Sequence, residues 1–297
     1  MMDIRIVNGD RNDLGEGPLW DVDEQRLYWV NAIKGWVFRA APDGSDLQKW
    51  QLPGQIGSMA LRRKGGAVLA LFDGLYFFDF VSGRAEPVLE LERDIPTTRF
   101  NDGKVDRGGR FVFGSLDSAM FAPNPEGEVR VAKGGLYRLD TDLSVHKLEG
   151  EIGCSNGPCW SPDGRTFYFS DTVAGTLSAY DWDLATGVPS NKRRFASFAR
   201  PAGMPDGCTV DAEGYVWSTG YDGGVIRRFR PDGVLDRQIE MPVRRVSSVM
   251  FGGPDLDILF VTSIGIDVPP PDNPGTGNLF AVHGLGVRGL PEPRFAG

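Results

Sequence analysis

Ser155-Asn156-Gly157-Pro158-Cys159-Trp160-Ser161-Pro162-Asp163-Gly164 runs directly into Arg165-Thr166-Phe167-Tyr168-Phe169-Ser170-Asp171. The stretch reads as a short strand, a tight Ser-Pro-Asp-Gly turn and a second strand rich in aromatic residues. Pro162 at the second turn position presets φ, and Gly164 at the fourth is the usual close of a type I turn. A polar residue, Asn156, heads the first strand four residues before Trp160.

The same phrase recurs along the chain. Strand-turn-strand units begin near Gly17, Ser58, Gly103, Gly157, Gly207 and Ser248, and the centres of their turns are about 41 to 55 residues apart. Each unit is followed by a glycine that opens a third strand, as in Gly35-Trp36-Val37-Phe38 and Gly224-Val225-Ile226-Arg227. Most then show a further turn and a fourth strand, for example Leu235-Asp236-Arg237-Gln238-Ile239. No helical period is sustained; short alternating runs bounded by Gly, Pro, Asn and Asp dominate. Four strands repeated six times at this spacing predict an all-β, six-bladed β-propeller, one domain over residues 1–297. The sixth unit has three clear strands, and Asp3-Ile4-Arg5-Ile6-Val7 is a spare strand at the start. The N-terminal strand is therefore expected to complete the last blade and close the ring.

Composition agrees. The 297 residues carry 40 Gly, 21 Pro and 11% aromatics, which suits many strands joined by many turns. With 32 basic against 40 acidic residues and no basic run, the chain offers no nucleic-acid surface. The opening residues are too polar for a signal peptide, and no apolar run approaches the ~18 residues that span a membrane. Three cysteines, an odd number, fit a reducing compartment. The expectation is a cytoplasmic protein, a monomer or weak homo-oligomer, without nucleic-acid or membrane partners.

In a propeller the first strand of each blade lines the central channel, so equivalent positions at the heads of these strands form a ring. Counting four residues back from Trp20, Leu61, Val105, Trp160, Val210 and Phe251 gives Glu16, Gly57, Asn101, Asn156, Asp206 and Ser247. Each polar residue alone reads as a cap for turn amides. Four at one repeat phase point instead to a site. Carboxylates and carboxamides converging on one axis suit a hard or borderline divalent cation such as Ca²⁺, Mg²⁺ or Mn²⁺.

These residues sit in phrases that resemble the family of senescence marker protein (regucalcin), gluconolactonase and related sugar lactonases. The phrases are Leu14-Gly15-Glu16-Gly17-Pro18-Leu19-Trp20, Arg99-Phe100-Asn101-Asp102-Gly103-Lys104-Val105-Asp106, Ser155-Asn156-Gly157, Pro205-Asp206-Gly207 and the tail Gly284-Leu285-Gly286-Val287-Arg288-Gly289. The resemblance runs in order from about residue 14 to the C-terminus. It implies one divalent cation (Ca, Zn, Mn, Mg or Fe) held by Glu16, Asn156 and Asp206, substrate contacts from Arg99 and Asn101, and a general-base role for Asp206. It also implies a small sugar lactone as substrate. Animal members carry a substrate-lining Glu five residues after the match to Gly114; here that position is Ala119, and nearby Asp117 is the expected partial replacement.

The chemistry is consistent with those residue types. A lactone is an ester whose carbonyl needs polarising and whose attacking water needs activating, and a cation beside a carboxylate base serves both. A fixed fork of donors on Arg99 suits sugar hydroxyls or a developing oxyanion. The alternatives are a phosphotriesterase-like hydrolase and a non-catalytic metal-binding propeller. Gly153-Cys154-Ser155-Asn156-Gly157 matches the nucleophile elbow of serine hydrolases, but that motif needs a following helix and a His partner. Here a strand follows, and His146 and His283 both lie in outer-strand contexts. Cys154, Cys159 and Cys208 fit no zinc spacing and read as small buried hydrophobes. The Pro-rich run 268–274 reads as a loop near the channel mouth or a plain connector.

Overall fold

In the computed structural model, which describes residues 2–125, 127–198, 203–267 and 275–297, Ser155–Trp160 and Thr166–Asp171 are strands joined by the expected turn. Gly164 has φ +69° and its amide reaches Ser161 O at 2.8 Å. A third strand (Thr176–Trp182) and a fourth (Pro189–Ser197) complete an antiparallel four-stranded sheet. Six such sheets form the molecule. The innermost strand of each blade packs on that of the next, and Val246–Gly252 of the sixth returns to Gly15–Asp21 of the first. This is a six-bladed β-propeller. The Pro-rich run 268–274 lies outside the described residues.

The ring closes as the sequence leads one to expect. Asp3–Asn8 pairs antiparallel with Leu279–His283, so the sixth sheet takes one strand from the start of the chain and three from its end. The core lies between blade faces. Trp217 of the fifth blade packs with Phe251, Val261 and Phe280 of the sixth, all buried. Val112 of the third blade joins Trp160, Phe167 and Trp182 of the fourth. Each such side chain contributes about 1.5–3 kcal/mol by leaving water.

The turn after each inner strand is built from its own sequence. Asp106 and Asp211, each at the end of a Val-Asp pair, cap their turns in the same way. Asp211 Oδ1 accepts from the amides of Glu213 and Tyr215, while Oδ2 accepts from Trp217 Nε1 and Arg228 Nε, both at 2.8 Å. Asp106 repeats this with Gly108, Arg110 and Trp182. The C-terminal tail runs across these turns. Its backbone bonds Ala212, Leu256, Leu61, Arg63 and Gly109, and Arg294 pairs with Asp21 at 2.6 Å. The tail thus laces blades together at the end of the ring opposite the heads of the inner strands. Among the described residues no helix is long and apolar enough to cross a membrane.

Candidate active site

Every inner strand breaks register with its neighbour at its head. The irregularities fall between Glu16 and Leu19, Ile56 and Ser58, Phe100 and Gly103, Asn156 and Cys159, Pro205 and Cys208, and Val246 and Val249. A bulge of this kind turns a side chain out of the sheet face. Here it falls on the ring position of each blade. Gly17 and Gly157, at φ +52° and +58°, supply the left-handed backbone that follows Glu16 and Asn156.

Four of the ring positions meet. Glu16, Asn101, Asn156 and Asp206 line one cavity of about 350 Å³, with Arg99 beside them. The other two are committed to packing. A Cβ on Gly57 would lie 2.4 Å from Asn101 O, so the third blade's backbone excludes any side chain there. Ser247, fully buried, donates to Gly15 O at 2.5 Å and joins the sixth blade to the first.

The polar floor is a connected network. Asn156 Nδ2 donates to Thr172 Oγ1 at 2.8 Å, and Thr172 donates to Pro205 O at 2.7 Å, next to Asp206. That fixes Asn156 Oδ1, which accepts from Asn101 Nδ2 at 2.8 Å. Asn101 Nδ2 also donates to Ser155 O at 2.9 Å. Arg99 Nη1 donates to Phe100 O at 3.2 Å and lies 3.4 Å from Asn101 Oδ1.

Negative charge is in excess at the floor, where Glu16, Asp102 and Asp206 face Arg99 and Lys104. Burial, followed by repulsion from Asp206 and Asp102, holds the Glu16 carboxyl well above the usual range. Burial, followed by Asp102, does the same to Asp206. Burial also raises Asp102 and lowers Arg99. Asp102 accepts from Gly103 N at 2.8 Å and from Gly157 N at 2.9 Å, tying the third blade to the residue after Asn156. No three His, Cys, Asp or Glu side chains among the described residues form a metal-holding group. The expected set of two carboxylates therefore depends on the Asn156 carbonyl oxygen as its third donor. Buried, oxygen-only and negative in excess, it fits a hard divalent cation.

Other sequence candidates fall elsewhere. Asp117 does not line the cavity: its carboxylate accepts from Ala119 N at 3.1 Å and Lys133 N at 3.0 Å, capping a 3₁₀ turn at Ser118–Phe121. Ser118 and Phe121 reach the wall instead, while Ala119 does not. Ser155 Oγ is buried without a partner and packs on Gly114, where a Cβ would lie 2.0 Å from it. No histidine serves it; His146 pairs with Asp140 at 3.2 Å. All three cysteines are buried and free, and Cys154 also lines the cavity. Asp102 and Thr172 drew no role from sequence. Their only signal was adjacency to Asn101 and to the aromatic strand's terminal Asp171.

The fold and this site define a propeller with an axial cavity whose floor carries carboxylate and amide groups. The chain belongs to the SMP-30/gluconolactonase/LRE-like family, whose model matches residues 14–265. It is 34% identical to regucalcin of Xenopus laevis, over 99% of this chain and 98% of that one. It is 36% identical to 6-deoxy-6-sulfogluconolactonase of Pseudomonas putida, over 99% of each. The crystal structure of a calcium-binding protein, regucalcin, from Agrobacterium tumefaciens superposes with a TM-score of 0.90 at 28% identity, over 99% of this chain and 97% of that one.

Proposed function

We propose that the chain is a metal-dependent sugar lactonase, a carboxylic ester hydrolase that opens an aldonolactone to the aldonic acid, with all six blades acting as one domain. The observation that carries this reading is the buried Glu16, Asn156 and Asp206 set at the floor of the cavity, with both carboxyls raised, flanked by Arg99 and Asn101. The lactonases among its relatives support the same reaction class. Glu16, Asn156 and Asp206 would hold the cation. When bound, it supplies Lewis-acid polarisation of the lactone carbonyl and the counter-charge that lets both carboxyls ionise.

The chain's own residues do the rest. Asp206 takes a proton from the attacking water as its oxygen adds to the carbonyl carbon. The ring C–O bond then breaks, and the proton passes to the departing alkoxide. Arg99 presents donors to the oxygen on which charge develops or to a neighbouring hydroxyl. Asn101 has its amide hydrogens engaged by Ser155 O and Asn156 Oδ1. What it offers a substrate hydroxyl is therefore its carbonyl oxygen.

The test separates holding the cation from moving the proton. Chelation should abolish lactone hydrolysis and a divalent cation restore it. Across a metal titration, Glu16→Gln should recover much better than Asp206→Asn, whose kcat stays down by about 10²-fold or more at saturation. Equal recovery would make Asp206 a ligand only. Turnover of a phosphotriester but no lactone would overturn the reaction class.

A further inference from the structure

Past the first ring of polar positions the repeat builds a second. The residue before each first-ring position pairs with Asn31, Leu71, Ser115, Asp171, Gly220 or Ser263. The next residue along the chain is then Ala32, Phe72, Leu116, Thr172, Tyr221 or Ile264, one from each blade. Leu116, Thr172, Tyr221 and Ile264 line the cavity. Two of the six carry a hydroxyl, and the fold treats them differently. Thr172 donates to Pro205 O at 2.7 Å and accepts from Asn156, the ring residue of its own blade. Tyr221 holds the same place in the fifth blade, whose ring residue is Asp206. Among the described residues its hydroxyl has no hydrogen-bond partner.

The local structure does not need that hydroxyl. Gly223 N bonds Gly220 O at 3.0 Å across the turn, and Asp222, at φ +61°, pairs with Arg244 at 2.9 Å. Ser118, the remaining hydroxyl on the cavity wall, already donates to Thr97 O at 2.7 Å. Burial raises the Tyr221 phenol; Arg245 opposes that shift and Asp206 adds to it, so the group is a donor at neutral pH. Among the described residues, Tyr221 is thus the one hydroxyl lining the cavity whose hydrogen is not engaged.

A ring that fills the cavity strips water from this phenol. A bare lactone then leaves it unpaired, whereas a hydroxylated one replaces the lost bond. An aldonolactone carries hydroxyls around most of its ring, so a donor in the wall meets one without a fixed choice of carbon. We propose that Tyr221 is a substrate-binding residue whose phenol pairs with a hydroxyl of the lactone and makes the site favour polyhydroxylated lactones over bare ones. The proposal rests on the lactonase reading above and adds a specificity-determining residue to it.

Two matched pairs test it: D-glucono-1,5-lactone against δ-valerolactone, and L-arabinono-1,4-lactone against γ-butyrolactone. Tyr221→Phe keeps the ring and removes only the hydroxyl. In this variant kcat/KM for the hydroxylated members should fall by roughly tenfold, while that for the bare members holds or rises. A bare member that binds without turnover is read by its Ki as a competitive inhibitor. A general loss of folding or metal lowers both classes alike, so the ratio isolates the hydroxyl. An equal fall in both classes, or no fall for the hydroxylated members, overturns the proposal and leaves the lactonase reading intact. Failure of the parent to hydrolyse any of the four lactones, with calorimetry still showing Mn²⁺ bound, removes that reading and this proposal with it.

Discussion

Glu16 is an acid that the fold makes costly to ionise without a cation. Its folded pKa is raised, so in metal-free protein its contribution to stability is complete below the unfolded value of 4.5 and is lost as pH rises through the folded value. Glu16→Gln removes that dependence. In metal-free buffer the variant should match the parent near pH 4 and become progressively more stable above it. The slope is up to about 1.4 kcal/mol per pH unit until the folded carboxyl ionises. Chemical denaturation of both proteins across pH checks this, and a saturating divalent cation should reverse the order. At Ser155 the expectation is indifference: a buried hydroxyl without a partner has no base to activate it. Ser155→Ala should keep kcat/KM within about tenfold, and serine-directed phosphonates should not inactivate the enzyme.

At the scale of the strand and its turn, the device that repeats is the aspartate at the end of the inner strand. Arg228, 3% exposed, is held by Asp211, Glu213 and Asp236 around one such turn. Asp211→Ala would leave a buried guanidinium and the indole of Trp217 short of an acceptor. The expected cost is about 3 kcal/mol or more, on the order of 6 °C in Tm by calorimetry. Activity at low temperature should persist, because this turn is at the opposite end of the blade from Asp206. The repeat also explains which parts of the site were legible in the sequence. Strand, turn and ring phase follow from Trp160, Pro162 and Gly164 and their equivalents, because turn chemistry and alternation are local. Glu16, Asn101, Asn156 and Asp206 were legible for the same reason, as one phase of a repeat. Gly57 and Ser247 share that phase but pack against neighbouring blades, a contact no single repeat reveals. The expectation for Asp117 rested on proximity in sequence, whereas its carboxylate is drawn to the amides of a 3₁₀ turn. Thr172 orients Asn156 across two strands, and Phe121 reaches the rim from a turn with no repeat equivalent.

For the molecule as a whole, stability resides between blades rather than at the axis. Ring closure by Asp3–Asn8 on Leu279–His283, the aromatic packing of adjacent blades and the tail beneath them all lie away from Glu16 and Asp206. Chelation should therefore leave the far-UV circular dichroism spectrum of the native sheet unchanged at 25 °C while lowering Tm and abolishing lactone hydrolysis. Loss of the sheet spectrum on chelation would show that the ion, not the blades, holds the ring together.

The tail has a consequence for traffic. Below the site lies a space of only about 20 Å³, bounded by Asp102, Lys104, Glu292 and Pro293, enough for a single water. Lys104 Nζ donates to Cys208 O at 3.0 Å, and Glu292 of the tail stands 4.0 Å from it across the axis. Among the described residues the channel is thus closed below the site, a cup rather than a pipe, with Phe121 beside its open end. On the lactonase reading proposed above, a lactone would arrive uncharged and depart as an anion through the doorway it entered by. Each turnover has to clear that doorway before the next guest can be seated.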